Sequence, residues 1–142
     1  KPELAGLVNA EYLELDELLE TSDFIVVAVD LNHESAALIG HDQFNKMKPS
    51  AVFVNISRGS VVDENALIEA LKQNKIFAAG LDVYQKEPLQ ASALFELDNV
   101  VTLPHIGSAT AETRKKMAEL ALQNLVDALE QRTPRYLVNE NF

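Results

Sequence analysis

A guanidinium, a carboxylate and an imidazole stand at three places where a short apolar run has just ended. Arg58 follows Ser57 and precedes Gly59 after the run 51–56. Glu87 lies in Tyr84-Gln85-Lys86-Glu87-Pro88 after the run 76–83, and His105 lies in Pro104-His105-Ile106-Gly107-Ser108 after the run 99–103. A carboxylate beside an imidazole favours the imidazolium, raising its pKa by roughly 1–3 units at close range. It also fixes which ring nitrogen carries the outward proton. The product is a general acid near neutral pH, worth roughly 10²–10⁴ in rate. An arginine fork binds a carboxylate bidentately and polarises a nearby carbonyl. A small 2-keto acid is a ligand that needs both. Taken singly, each residue also suits a plainer role: Arg58 as a surface ion-pair partner, Glu87 as a solvated turn residue, His105 as a structural histidine.

Other groups are weaker candidates. Ser57 has no histidine near it in sequence and no nucleophile-elbow pattern around it, so it does not read as a nucleophile. His33 and His41 make no metal-ligand spacing with each other or with His105, and no metal is assigned. Asp82 ends its apolar run, where it suits either a ligand amide or a turn. Gly107-Ser108-Ala109-Thr110 opens a helical stretch whose free N–H groups suit an anion or plain capping by Ser108 or Thr110.

What must position these residues is a set of four apolar runs: 24–29, 51–56, 76–83 and 99–103. They lack polar alternation, which suits strands of a parallel sheet covered on both faces. Helical patterns fall between them. Asp16 is placed to cap a short helix containing Leu18 and Leu19, and residues 41–47 read as another, ending before Pro49. Asp63 caps a third, with Leu67, Ala70 and Leu71 on one face. A last helix runs over 111–131 with Ala118, Ala121, Leu122, Leu125 and Leu129 on one side, the pattern of a helix packed on a core. Strands alternating with helices make βαβ units. In such sheets ligands bind beyond the carboxyl ends of the strands, and all three site candidates emerge there.

Composition narrows the classes. The chain has 142 residues, 47% hydrophobic and 24% charged, enough for one domain with a core. With 22 acidic against 12 basic residues the net charge is −10, which argues against a nucleic-acid or anionic membrane surface. No apolar run approaches the roughly 20 residues of a membrane span. The chain has no cysteine, which excludes disulfides and thiolate chemistry and fits a cytoplasmic protein. It begins at Lys1, within a polar stretch and without an initiator methionine, and reads as part of a longer protein.

Three segments resemble a family signature. They are Asn55-Ile-Ser-Arg-Gly-Ser-Val-Val-Asp-Glu-Asn-Ala-Leu67, Gly80-Leu-Asp-Val-Tyr-Gln-Lys-Glu-Pro88 and Leu103-Pro-His-Ile-Gly-Ser-Ala-Thr110. Their order and spacing resemble the D-isomer-specific 2-hydroxyacid dehydrogenases, most of all the branch of glyoxylate/hydroxypyruvate and 2-ketogluconate reductases. The resemblance runs down to Val138-Asn139. It implies the C-terminal part of a doubly wound, Rossmann-like α/β domain, with the Gly-x-Gly-x-x-Gly loop and central strands upstream of Lys1. Residues 1–110 would be the second part of the dinucleotide-binding domain. Residues 111–142 would be a helix and tail returning toward the substrate domain. Arg58 would bind the substrate carboxylate and carbonyl, His105 would be the acid/base, and Glu87 its partner. Asp82 would hold the nicotinamide carboxamide, and Ser57 and Gly107 would line its pocket. The cofactor would be NAD or NADP and the full-length protein a homodimer, with this piece inactive alone. Where the family usually shows Leu-Pro-Leu, this chain has Val29-Asp30-Leu31, which sets a carboxylate near the cofactor's expected path. A non-catalytic relative that senses the cofactor is the alternative.

Overall fold

The four apolar runs become four parallel strands in the computed structural model, which describes residues 10–137. They are β1 (Phe24–Val27), β2 (Val52–Asn55), β3 (Ala78–Leu81) and β4 (Val100–Thr102), in the order β1-β2-β3-β4. Each strand is shorter than its apolar run. The flanking residues belong to the connections, several of them, such as Ala51 and Ile76, still buried, and Tyr12 and Leu13 belong to no strand. The register is unbroken across the sheet: Val27 pairs with Asn55, Asn55 with Leu81 and Leu81 with Thr102, so all four strands end on one rung.

Helix α1 (Leu15–Thr21) precedes β1, α2 (His41–Lys46) joins β1 to β2, and α3 (Glu64–Lys72) joins β2 to β3. Asp63 caps α3, its carboxylate accepting from the N–H groups of Asn65 and Ala66. Asp16 does not cap α1. The N-cap is Glu14, without a side-chain bond, and Asp16 sits in the first turn, where a negative charge favours the helix dipole. Gln43 accepts from the Gly40 N–H at 3.0 Å and so secures the start of α2.

One core forms on one side of the sheet. Ile25, Val27, Phe53, Ala79 and Leu81 face Leu19 of α1, Phe44 of α2 and Leu67 and Leu71 of α3. Phe44 and Phe53 meet edge to face with centroids 5.2 Å apart. The expectation of cover on both faces is corrected here. Phe24 and Val26 point the other way and are 73% and 57% exposed, and Val101 on the same face is exposed as well. Among the described residues of the larger unit, α1, α2 and α3 all pack beneath the opposite face, and the second apolar face of the strands is exposed.

The chain divides into two compact units, the larger running to Pro104 and the smaller starting at His105. The smaller holds α4 (Ala111–Leu129), capped by Thr110, whose side chain accepts from the Thr113 N–H. α4, whose apolar stripe suggested packing on a core, has no buried residue among the described residues. Local bonds sustain the helix instead, including Lys116–Glu112 at 2.7 Å and Lys115–Glu119 at 3.7 Å, both four residues apart. Beyond it, Arg135 and Tyr136 form a turn; Val138 and Asn139 lie outside the described residues. Among the described residues no helix is long and apolar enough to cross a membrane, and no cluster of His, Cys, Asp or Glu is fit to hold a metal.

Candidate functional site

The shared last rung sets the site. Asn55 closes β2 on the buried face, only 1% exposed. Its carboxamide oxygen accepts from the Ser57 N–H at 3.0 Å and the Ser57 hydroxyl at 2.9 Å. Its amide donates to the Arg58 carbonyl at 3.1 Å. One buried side chain therefore fixes the turn that presents Arg58. The guanidinium donates through Nη1 to the Ser57 carbonyl at 2.7 Å, and the Arg58 side chain is otherwise solvent-facing.

The next loop is bound to this one. A β-carbon added at Gly59 would lie 1.8 Å from the Tyr84 carbonyl carbon and 2.3 Å from the Gln85 nitrogen, so only glycine allows the two backbones to approach this closely. Gln85 adds a side-chain bond, its amide donating to the Val62 carbonyl at 3.0 Å. Within this loop the Glu87 carboxylate accepts from the Tyr84 N–H at 3.1 Å. The Tyr84 hydroxyl lies 3.1 Å from the Leu81 carbonyl and 2.8 Å from that of Leu103, joining the ends of β3 and β4. Burial pushes the Tyr84 phenol above its ordinary pKa of 10.0, against the opposing pull of its hydrogen bonds to Thr102 and Leu103. Asp82, one residue past β3, is buried, and its N–H donates to the Asn55 carbonyl at 3.1 Å.

A cleft of about 590 Å³ opens beyond β1 and β2, lined by residues 28–31 and 56–58. Four of the sequence candidates, Val29, Asp30, Ser57 and Arg58, meet there. A second cleft of about 540 Å³ shares residues 28–30 and adds Asn32, Glu34, Ser35 and Leu38. The loop between them is tied to itself. Asn32 accepts from the N–H groups of Glu34 and Ser35 at 2.8 and 3.0 Å, and the Ser35 hydroxyl donates to the Asp30 carbonyl at 2.5 Å.

His105 and Gly107 belong to the smaller unit. His105 is exposed and has φ of +54°, a left-handed conformation that costs a residue with a side chain. From Ile106 the chain turns, with the Ala109 N–H on the Ile106 carbonyl at 2.9 Å, and enters α4 through the Thr110 cap.

Arg58 and Glu87 thus stand on two loops locked to one another, Asp82 lies just past the strand between them, and His105 opens the following unit. Sequence reasoning missed Asn55, Gly59 and Tyr84 as organisers. The only sequence signal for Asn55 was a polar residue inside an otherwise apolar run.

A parallel sheet with its clefts and charged loops at the carboxyl ends of the strands defines an α/β ligand-binding domain. The chain belongs to the family described as D-isomer specific 2-hydroxyacid dehydrogenase, NAD binding domain, whose model matches residues 2–107. It is 54% identical over 132 residues to glyoxylate/hydroxypyruvate reductase B of Shigella boydii serotype 4 (strain Sb227), covering 92% of this chain and 41% of that protein. The chain thus spans about two fifths of that relative's length. A crystal structure of a glyoxylate reductase from Paecilomyes thermophila superposes with a TM-score of 0.87 at 39% identity, over 100% of this chain and 43% of that one. The NADPH-dependent glyoxylate/hydroxypyruvate reductase of Sinorhizobium meliloti, solved with NADP and malonate, gives 0.81 at 32% identity, over 91% and 44%.

Proposed function

We propose that this chain is the cofactor-holding and acid/base-bearing part of an NAD(P)H-dependent reductase that turns a small 2-keto acid into the D-2-hydroxy acid. Glyoxylate, hydroxypyruvate and 2-ketogluconate are the substrates of that kind. The observation that carries the reading is the Asn55-anchored turn, which holds Arg58 at the mouth of a cleft in a chain of this family. The cleft's volume falls in the usual range for small-molecule and cofactor sites. Its lining offers what a nicotinamide nucleotide needs: apolar contact from Val29 and Ile56, polar backbone at Ser57, and a cation beside the place for an anionic substrate.

When bound, the reduced nicotinamide supplies the hydride that is added to C2 of the ketone. The chain's own residues do the rest. Arg58 grips the substrate carboxylate and polarises the carbonyl, which draws charge toward the oxygen as the C2–H bond forms. His105 gives its proton to that oxygen, leaving a neutral imidazole that is reprotonated from solvent. Glu87 is the partner that orients the ring. Asp82 accepts from the carboxamide, and Val29, Asp30, Ser57 and Gly107 line the cofactor's path. The full-length protein is read as a cytoplasmic homodimer.

The test is turnover of glyoxylate and of hydroxypyruvate by the full-length protein with NADH and with NADPH, beside His105→Gln. The expected result is a fall in kcat of roughly 10²–10⁴ in the variant. Unchanged turnover in His105→Gln would remove the acid/base assignment. Cofactor binding without turnover of either keto acid would favour a sensor.

A further inference from the structure

Asp30 brings a charge that the proposed reaction does not require. Its backbone is held, because its carbonyl accepts from Ser35 in the self-bonded loop 30–35. Among the described residues no ion pair or side-chain hydrogen bond engages its carboxylate. Asp30 lines both clefts, in the stretch 28–30 that they share. On one side the lining offers the Arg58 cation; on the other it offers Glu34 and no lysine or arginine. His33, 3.8 Å from Glu34, is a cation only when protonated.

We propose that Asp30 biases the dinucleotide site against a cofactor bearing a 2′-phosphate and toward one with a free ribose diol; this rests on the reading that the Arg58 cleft takes the nicotinamide end. For a dinucleotide whose nicotinamide end lay at Arg58, the lining shared at residues 28–30 would lead the rest past Asp30 toward the Glu34 cleft. A phosphomonoester adds up to about two negative charges, and it would meet two carboxylates with no basic side chain in the lining to offset them. A ribose diol presents hydroxyl donors, for which a carboxylate is the natural acceptor. The bias acts in addition to whatever other segments of the protein contribute.

The experiment is fluorescence titration of NADH and of NADPH into the full-length protein, Asp30→Asn and Glu34→Gln, at pH 8 and at low and high salt. The quantity read is the ratio of the NADPH Kd to the NADH Kd, in which a general loss of folding cancels. Asp30→Asn should lower this ratio roughly three- to tenfold at low ionic strength and by less in high salt, as for a screened charge. Glu34→Gln should shift it the same way by a smaller factor. A ratio that stays put or rises in Asp30→Asn overturns the proposal while leaving the cofactor reading intact. If the unmutated protein binds neither nucleotide, the cofactor reading fails and takes this proposal with it.

Discussion

In the larger unit Phe44, Phe53 and Leu67 are withdrawn from water, whereas in α4 Leu122, Leu125 and Leu129 face it. Both regions carry an apolar stripe with the right period. Only one has its stripe buried. Burying a large apolar side chain is worth roughly 1.5–3 kcal/mol, while an i,i+4 ion pair on a helix contributes about 0.2–0.5. Stability therefore concentrates in the α1–α3 core, and the loops that carry Arg58 and Glu87 are anchored to it through Asn55 and Gly59. Periodicity fixes where a helix can pack; it does not supply the surface that receives it.

The contrast can be broken from its strongest side first. Phe53→Ala empties the centre of the core and should cost about 3–5 kcal/mol in urea denaturation. A loss below 1 kcal/mol would mean the core is not where stability resides. Asn55→Ala strips partners from buried groups of the Ser57-Arg58 turn and should cost about 1–3 kcal/mol. It should also raise the KM for the keto acid, since the turn that presents Arg58 loses its support. An unchanged KM would show that the turn holds without it.

A pH titration sharpens the comparison further. The Tyr84 phenol has a folded pKa above its ordinary value, so the folded state keeps a proton that the unfolded state releases. This contribution is intact below about pH 10 and is lost as pH rises through the raised folded pKa. Urea midpoints should fall over that alkaline range in the unmutated protein and fall less in Tyr84→Phe. Identical alkaline profiles would remove Tyr84 from the account. The smallest effect is expected in α4. Leu122→Ala should change stability by no more than about 0.5 kcal/mol, as for an exposed position; a cost of 2 kcal/mol would reveal a packed partner for that stripe.

The strands, the Asp63 cap and the loops bearing Arg58, Glu87 and His105 were legible because their signals are local: apolar runs, a capping residue, a charge just past a strand. The one-sided cover was not, since a run such as Phe24-Ile-Val-Val27 reads alike whether one face or both are packed. Nor was the role of Gly59, which depends on the Tyr84-Gln85 backbone some 25 positions away. Tyr84 stands out in the sequence only as part of a motif, because its hydroxyl acts on a carbonyl 19 residues on. The left-handed backbone at His105 carried no glycine or asparagine to announce it.

Because all four strands finish level, spacing within them is as constrained as the chemistry just past them. One extra residue inside β2 or β3 would turn its final side chain to the opposite surface and carry the following loop out of line. The exposed turn at Gln90-Ala91, away from the core and the clefts, has no such obligation. Insertions and deletions in related sequences should collect there, and chimeras should be joined there.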